Sequence, residues 1–336
     1  MSGKGTLTFV SGENGFNAGT KAVADALTIA SRCGWKVYKV MIPKPEHGLA
    51  ARISVKARGF MNIMRCMAES GRIFLQYPIS SAHYQGFTAM LLKRFGAKCT
   101  VLIHDLDSFR ARGNFSEEVS FLKYAGSLIV HNGTMARKLA EAGLDGGRMR
   151  TLELFDYLCE KPSTIVRRPG TEICFAGNLD KSVFLRDLPA VMASRASVNL
   201  YGAPSAHVRD GNGVRYMGKF SPGDISDIRG SWGLVWDGSG CNGLESPEGN
   251  YLRLISPHKA SLYVAAGLPV IVSSESAIAP YVESHNLGIC IGSLAELPDR
   301  TAAVDAACYA AMTEAVKEEA RMLTGGRHLS AALDCF

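Results

Sequence analysis

The chain of 336 residues carries a net charge of +6, with 47% hydrophobic and 20% charged residues. This length suits two domains of about 150 residues each. The charge is too mild for a nucleic-acid-binding surface but compatible with an acidic small substrate such as a nucleotide sugar. Because no run of about eighteen apolar residues occurs and the N-terminal apolar stretch is short, we expect neither a transmembrane helix nor a signal peptide.

The nine cysteines are odd in number and contain no C-x-x-C pair, so a disulfide framework is not expected. Five of them lie within apolar patterns and are predicted to be small core residues; these are Cys33, Cys66, Cys99, Cys174 and Cys290. The composition therefore indicates a reducing compartment and a cytoplasmic protein.

The chain opens with a predicted strand over residues 6–10, a loop over 11–19 with three glycines, and a helix over 18–33. Lys21 stands one place too late for a phosphate-binding P-loop, and the glycine spacing does not fit a dinucleotide fingerprint. Two interpretations remain, an ordinary βα turn and a loop that closely approaches a ligand.

The helix predicted over residues 49–68 carries four basic residues, Arg52, Lys56, Arg58 and Arg65. One interpretation is a solvated helix. The other is a surface that meets anionic lipid or a polyprenyl-phosphate acceptor, with peripheral attachment to a membrane.

Strands are predicted over residues 36–42, 72–77 and 98–103, and the last of them ends in the segment His104-Asp105-Leu106-Asp107-Ser108-Phe109-Arg110. Ligands of open parallel sheets bind beyond the carboxyl ends of the strands. His104, Asp105 or Asp107 is therefore a candidate general base for a hydroxyl group. The alternative is that His104 or Asp105 only caps the next helix.

A linker over residues 160–170 precedes a second series of strands, over 172–176, 198–201, 233–236 and 270–273. A helix predicted over 259–266 starts after the last residues of a polar loop, at Pro257-His258-Lys259. Later elements are a strand over 287–291 and a long alanine-rich helix over 301–323.

The ends of these strands and the start of this helix are expected at the same edge of one sheet. Such an edge is suited to binding a nucleotide diphosphate. Glycines there allow close approach, and the lysines offset phosphate charge beside the helix N-terminus. The candidate ligand-binding residues are Gly177, Asn178, Lys181, Tyr201, Gly202, Asp237, His258 and Lys259. Alternatively, Lys259 is a solvated surface lysine, His258 a cap residue and Tyr201 a plain core residue.

Several of these motifs resemble, in the same order along nearly the whole chain, those of a group of GT-B glycosyltransferases. The group includes bacterial β-1,6-galactofuranosyltransferases and the glucosyltransferase that extends O-linked GlcNAc on serine-rich repeat adhesins. The matching segments are Asn17-Ala18-Gly19 with Lys21, His104-Asp105 with Arg110, residues 175–179, 233–238 and 266–272, and Pro257-His258-Lys259. Ser256 departs from the pattern, which usually has asparagine before Pro-His-Lys.

The resemblance implies two Rossmann-like parallel-sheet domains that face each other across a cleft, and a hexosyltransferase that uses a UDP-sugar. With the linker, it gives domains at residues 1–160 (acceptor) and 161–317 (nucleotide sugar), and it implies that a tail, 318–336, packs on the first domain. Alternatively, the tail is a subunit interface, and a homo-oligomer is expected. It places Asn17, Ala18, Gly19 and Thr20 at the cleft as substrate-binding residues, and Arg110, in the motif with His104-Asp105, is a further candidate substrate-binding residue. The acceptor would be a saccharide, a glycopeptide or a lipid-linked sugar.

No cofactor or metal is expected, because lysines and a helix N-terminus would stabilise the leaving diphosphate. Asp105-Leu106-Asp107 also matches the D-x-D metal signature of the GT-A architecture, but that architecture would leave the second αβ series without a role. Two further alternatives stay open, a two-domain nucleotide-sugar epimerase and a non-catalytic partner of a glycosyltransferase.

Overall fold

The structure, a computed structural model, describes residues 3–10, 18–43, 46, 48–79, 82–110, 112–192, 195–205, 208, 211 and 213–335. The chain divides into two compact units, Met1–Leu152 together with His328–Phe336, and Glu153–Arg327. Each unit contains one sheet of six strands, and the strands pair in parallel in both sheets. The predicted class, two Rossmann-like α/β domains, is confirmed.

The first sheet has the strand order β2-β1-β3-β4-β5-β6. Its strands are rich in Val, Ile and Leu, and β4 is buried along its whole length, as expected where helices cover both faces of a parallel sheet. The elements are β1 Gly3–Val10, α1 Ala18–Arg32, β2 Lys36–Met41, α2 Leu49–Glu69, β3 Ser70–Tyr77, α3 Ala82–Phe95, β4 Cys99–Ile103, α4 Phe115–Leu122, β5 Ser127–Val130, α5 Gly133–Glu141 and β6 Met149–Thr151.

The second sheet has the strand order β12-β11-β10-β7-β8-β9. Its elements, with the helix that closes the chain, are β7 Glu172–Ala176, α6 Leu188–Met192, β8 Ser197–Tyr201, β9 Val214–Gly218, β10 Trp232–Val235, α7 Pro247–Leu252, α8 His258–Ala265, β11 Val270–Ser273, α9 Ala279–Ser284, β12 Gly288–Ile291, α10 Leu297–Ala302, α11 Ala306–Thr324 and α12 Arg327–Asp334.

The order of the second sheet creates a switch point between β7 and β10. From β7 the chain runs outward through β8 to β9, and then returns to β10 on the opposite side of β7. Connections that leave neighbouring strands in opposite directions open a crevice beyond their carboxyl ends, which is where open α/β sheets bind ligands.

Two sequence-based predictions in the second unit are wrong in detail. The polar segment over residues 237–251, rich in Gly, Ser and Asn, is typical of an irregular loop without a helix, but the structure has α7 at its end. The Ser246 side chain accepts the Gly249 N–H at 3.0 Å, and Pro247 suits the first helical position. The helix expected over 301–323 is two helices, α10 and α11. Asp305 starts the second one by accepting the Cys308 N–H at 2.7 Å.

The boundaries between the units follow Leu152 and Arg327, whereas the sequence-based division placed them after residues 160 and 317. All of α12 except its first residue, Arg327, belongs to the first unit. There, Arg72 Nη2 donates to the Leu333 carbonyl at 2.8 Å, and His328 Nδ1 lies 3.0 Å from the Leu152 carbonyl.

All nine cysteines are free thiols. Of the five predicted core cysteines, Cys33 is partly exposed and the other four are buried. Burial raises the pKa of the Cys66 thiol to about 11 and that of Cys99 to about 12. None of the helices in the described ranges is both long and apolar enough to cross a membrane.

Candidate functional site

The carboxyl ends of β7 and β10 converge on the start of α8. Strand β7 passes into Gly177 and Asn178, while β10 passes into Trp236 and Asp237. Helix α8 begins at His258, and Pro257 is its N-cap. Proline commonly occupies the first helical position, but here the helix starts one residue later. Lys259 is therefore the second residue of the helix, still in the first turn.

The Lys259 ammonium group lies across the switch point. Its Nζ is 3.5 Å from the Trp236 carbonyl, 3.7 Å from Asp237 Oδ2 and 4.6 Å from the centre of the Phe175 ring. The side chain is 20% exposed, so the stem is packed while the charged end can meet solvent. The alternative of a fully solvated surface lysine does not fit this geometry.

Both strand-end glycines, Gly177 and Gly202, lie in close contact with neighbouring atoms. A β-carbon at residue 177 would lie 2.9 Å from Lys259 Cε, and one at residue 202 would lie 2.2 Å from the Gly177 carbonyl oxygen. Gly202 therefore lets the end of β8 approach the end of β7, and Gly177 lets Lys259 pass over the backbone.

The first turn of α8 is suited to an anion. It contains no acidic side chain, and Pro257 gives it no side-chain cap. The N–H groups of a first helical turn and the helix dipole make such an end electropositive. His258 packs its ring on Phe155, with the ring centres 4.6 Å apart.

The turn after β7 is organised by Asn178, whose Oδ1 accepts the N–H groups of Asp180 at 3.1 Å and Lys181 at 3.2 Å. Lys181 is exposed, so its charge lies in solvent beside the crevice. Both residues lie beyond the same strand as Gly177.

Tyr201 lies in the core rather than on a ligand-facing surface. It is 4% exposed, its hydroxyl donates to the Asp227 carbonyl at 3.0 Å, and it accepts the Arg229 N–H at 2.8 Å. Burial raises the pKa of this hydroxyl. Of the two interpretations of Tyr201, the structure therefore favours the core residue.

In the first unit, the end of β4 is tied to its neighbour β3. The His104 N–H donates to the Tyr77 carbonyl at 2.7 Å, and His104 Nε2 lies 2.6 Å from Gln76 Oε1. Asp105 Oδ2 accepts from Arg110 Nε at 2.6 Å. His104 and Asp105 thus have defined orientations, while Asp107 is exposed.

Glu118, on α4, holds the turn that follows Asp105, and the sequence-based prediction missed it. It is 7% exposed, and its carboxylate accepts the N–H groups of Asp107 at 2.8 Å and Ser108 at 3.3 Å, as well as the Ser108 hydroxyl. The Tyr77 hydroxyl lies 3.5 Å from Oε1, and burial together with the negative charge of Glu118 raises the pKa of that hydroxyl.

The other predicted residues of the first unit lie at the start of α1. Ala18, Gly19 and Thr20 are its first three residues, and Thr20 is exposed. Asn17 lies outside the described residues. Lys21, the residue after Thr20, forms an ion pair of 2.6 Å with Asp25, one turn further along the helix.

Among the described residues, no group of three or more His, Cys, Asp and Glu side chains is placed to hold a metal ion. In the D-x-D segment, Leu106 is buried in the core and Asp105 is engaged by Arg110.

Comparison with known proteins places both units in one family. Models of the N-terminal and C-terminal domains of glucosyltransferase 3-like proteins match residues 4–154 and 173–335. The chain is 27% identical to the β-1,6-galactofuranosyltransferase WbbI of Escherichia coli over 95% of this chain and 94% of that protein. It is also 27% identical to glucosyltransferase 3 of Streptococcus gordonii over 70% of this chain and 69% of that protein.

Solved structures share the fold. Anabaena HepE in complex with UDP and glucose aligns with a TM-score of 0.61 at 14% identity, covering 99% of this chain and 100% of that one. The lipopolysaccharide outer core galactosyltransferase WaaB aligns with a TM-score of 0.51 at 10% identity, covering 97% of both chains. The two-domain fold of these glycosyltransferases is therefore the fold of this chain.

Proposed function

The chain belongs to the glucosyltransferase 3-like family, and from that premise we propose that it is a hexosyltransferase. It moves a hexosyl group from a UDP-sugar to a hydroxyl group of a saccharide or glycosylated acceptor. The acceptor oxygen bonds to the anomeric carbon, the bond from that carbon to UDP breaks, and the hydroxyl proton passes to a base of the protein.

The position of Lys259 carries this proposal. The bond that breaks leaves negative charge on the diphosphate of UDP, and fixed positive groups at that point stabilise the transition state. Lys259 is fixed at the switch point by Phe175 and the Trp236 carbonyl, beside the first turn of α8. Its partner Asp237 is partly exposed, so a bound diphosphate competes with a weak ion pair.

The remaining donor contacts follow from the same end of the sheet. Because Gly177 and Gly202 have no side chains, the diphosphate can approach the backbone at the ends of β7 and β8. Lys181 adds a second positive charge, and Asn178 fixes the turn that contains Lys181. His258, whose ring packs on Phe155, is the first residue of the helix. With these groups supplying the positive charge, the reaction needs no metal ion.

The base that takes the proton of the acceptor hydroxyl is one of three residues of the first unit, His104, Asp105 or Asp107. Gln76 orients the His104 ring, and Arg110 holds the Asp105 carboxylate. Ala18, Gly19 and Thr20, the first residues of α1, complete the acceptor contacts together with Asn17, which precedes them in the sequence. Glucose and galactofuranose are the two candidate sugars, because the relatives named above are a glucosyltransferase and a galactofuranosyltransferase.

A panel of UDP-sugars, incubated with and without sugar acceptors and with EDTA present, tests this function. We expect one sugar to give UDP release, slow with water and faster with an acceptor, and a glycosylated product by mass spectrometry. Conversion of the donor to an epimer without acceptor would instead identify an epimerase. Absence of any UDP-induced rise in the melting temperature would indicate a non-catalytic partner.

A further inference from the structure

Helix α2 has two apolar faces. One contains Gly59, Ile63, Cys66 and Met67 and is buried against the rest of the first unit. A surface helix of a globular protein normally has only that one. The other face is exposed: its large apolar residues are Leu49 at 75%, Ile53 at 59%, Phe60 at 46%, Met61 at 55% and Met64 at 44%.

The exposed residues form a continuous stripe. Leu49, Ile53, Phe60 and Met64 are separated by four, seven and four positions, so they line up along one side of the helix over about 22 Å. Helix α3 widens the stripe, because the Phe60 ring lies 4.2 Å from the Phe87 ring, and Met90, one turn after Phe87, is 56% exposed.

Positive charge flanks this stripe on both sides. At about 100° per residue, the half-buried Arg52 and Lys56 fall along the border with the buried face, and the exposed Arg58 and Arg65 fall along the other. No acidic residue occurs from position 49 to 68. Glu69, the last residue of α2, is held by Lys36 at 2.6 Å and by Arg65 at 3.4 Å.

We propose that this surface, α2 with the Phe87–Met90 turn of α3, binds anionic phospholipid membranes. The apolar stripe enters the interface between headgroups and acyl chains, to a depth of about 5–10 Å, while the basic side chains along its borders, above all the exposed Arg58 and Arg65, meet the lipid phosphates. The proposal goes beyond sugar transfer and does not depend on it, because it uses none of the residues assigned to donor or acceptor.

The positive charge of this surface favours an anionic membrane over a second copy of the chain as its binding partner. In a twofold dimer through α2 the same patch meets itself, so the basic borders of the two copies face one another. Like charges brought together at an interface are costly. An anionic membrane offers apolar and negatively charged groups at the same surface.

Vesicle co-sedimentation tests the proposal with the full chain. Vesicles of phosphatidylglycerol and phosphatidylcholine should pellet the protein, whereas pure phosphatidylcholine vesicles should not, and high salt should weaken the binding. The variant Ile53→Gln/Met61→Gln/Met64→Gln should partition about tenfold or more weakly. The matched control is Val166→Gln/Met322→Gln, at exposed apolar positions of the second unit, which should bind as the wild type does.

A second variant, Lys56→Gln/Arg58→Gln, should lose most of the preference for anionic vesicles. Unchanged melting temperature and unchanged UDP-sugar hydrolysis in solution show that these variants are folded and active, so a failure of this proposal is distinct from a failure of the proposed function. Equal binding to neutral vesicles, no binding to either kind, or wild-type binding by the triple variant would overturn it. So would a wild-type dimer that the triple variant converts to a monomer.

Discussion

Lys259 passes over the backbone of Gly177 so closely that a β-carbon at residue 177 would lie 2.9 Å from its Cε. This contact joins the end of β7 to the first turn of α8. It places the ammonium group where the switch point of the sheet and the positive end of a helix coincide. The position of the Lys259 ammonium group therefore depends on residue 177 being glycine.

Replacing Gly177 by alanine should weaken UDP binding more than it affects folding. The methyl group meets the flexible end of Lys259, which can swing aside, so the free energy of unfolding should change by about 1 kcal/mol or less. The displaced charge should raise the Kd for UDP about tenfold. Isothermal titration calorimetry measures this. Gly133→Ala is the control, because its methyl group meets open space, and an equal loss in both variants would contradict this dependence.

Replacing Lys259 by alanine should lower kcat about 10²- to 10³-fold, since in the proposed mechanism its fixed charge acts on the leaving diphosphate. Steady-state kinetics with the preferred UDP-sugar measures it. Lys317→Ala is the matched control, because this exposed lysine on α11 only pairs with Glu314 at the surface. Near-normal turnover of the Lys259 variant would rule out the role.

Replacing Glu118 by glutamine should destabilise the turn that follows Asp105. The carboxylate accepts the Asp107 and Ser108 N–H groups with different oxygens, whereas an amide has only one oxygen and would turn its NH₂ group toward a donor. We expect a loss of about 1–3 kcal/mol in the free energy of unfolding, measured in urea. We also expect a lower kcat with little change in the Kd for UDP. The neighbouring, exposed Glu117→Gln should change neither quantity, and if the two variants behave alike, Glu118 does not position the turn.

The two exposed cysteines should differ in reactivity. The Asp305 carboxylate accepts a hydrogen bond from the Cys308 thiol and raises the pKa of that thiol. A smaller fraction of Cys308 is therefore present as the reactive thiolate at pH 8. Iodoacetamide should therefore modify Cys335 faster than Cys308, as peptide mass spectrometry would show. Asp305→Asn removes the charge but keeps a good helix cap, and should speed the modification of Cys308. A slower or unchanged rate in that variant would exclude the effect.

The sequence was sufficient to predict the two sheets and the location of Lys259. Buried parallel strands are apolar runs between helical segments, and residues such as Gly177 and Asp237 fall at strand ends by their order in the chain. These features depend on the local sequence, so they can be predicted without knowledge of the tertiary contacts. Helix α7 was missed although Ser246 and Pro247 are a start signal, because the polar segment before them resembles an irregular loop.

The contacts that orient the candidate base could not be predicted. Glu118 reaches residues ten and eleven positions earlier, and Gln76 meets His104 from another strand, so no spacing rule connects them. Tyr201 had two interpretations because a tyrosine at a strand end can face the ligand or the core. Only its bonds to Asp227 and Arg229 favour the core.

The exposed face of helix α2 is another feature that the sequence alone could not predict. Its four basic residues were visible in the sequence, with a solvated face and a lipid-binding face both open. The exposed stripe of Ile53, Phe60 and Met64 between them appears only when the packing of the opposite face is known.

The central claim is that the diphosphate of UDP binds where α8 begins. A crystal structure of the protein with UDP tests it most directly. We expect a diphosphate oxygen within about 3 Å of Lys259 Nζ, close to the first-turn N–H groups of α8. A diphosphate bound away from the ends of β7 and β10, with Lys259 still at Asp237, would contradict it.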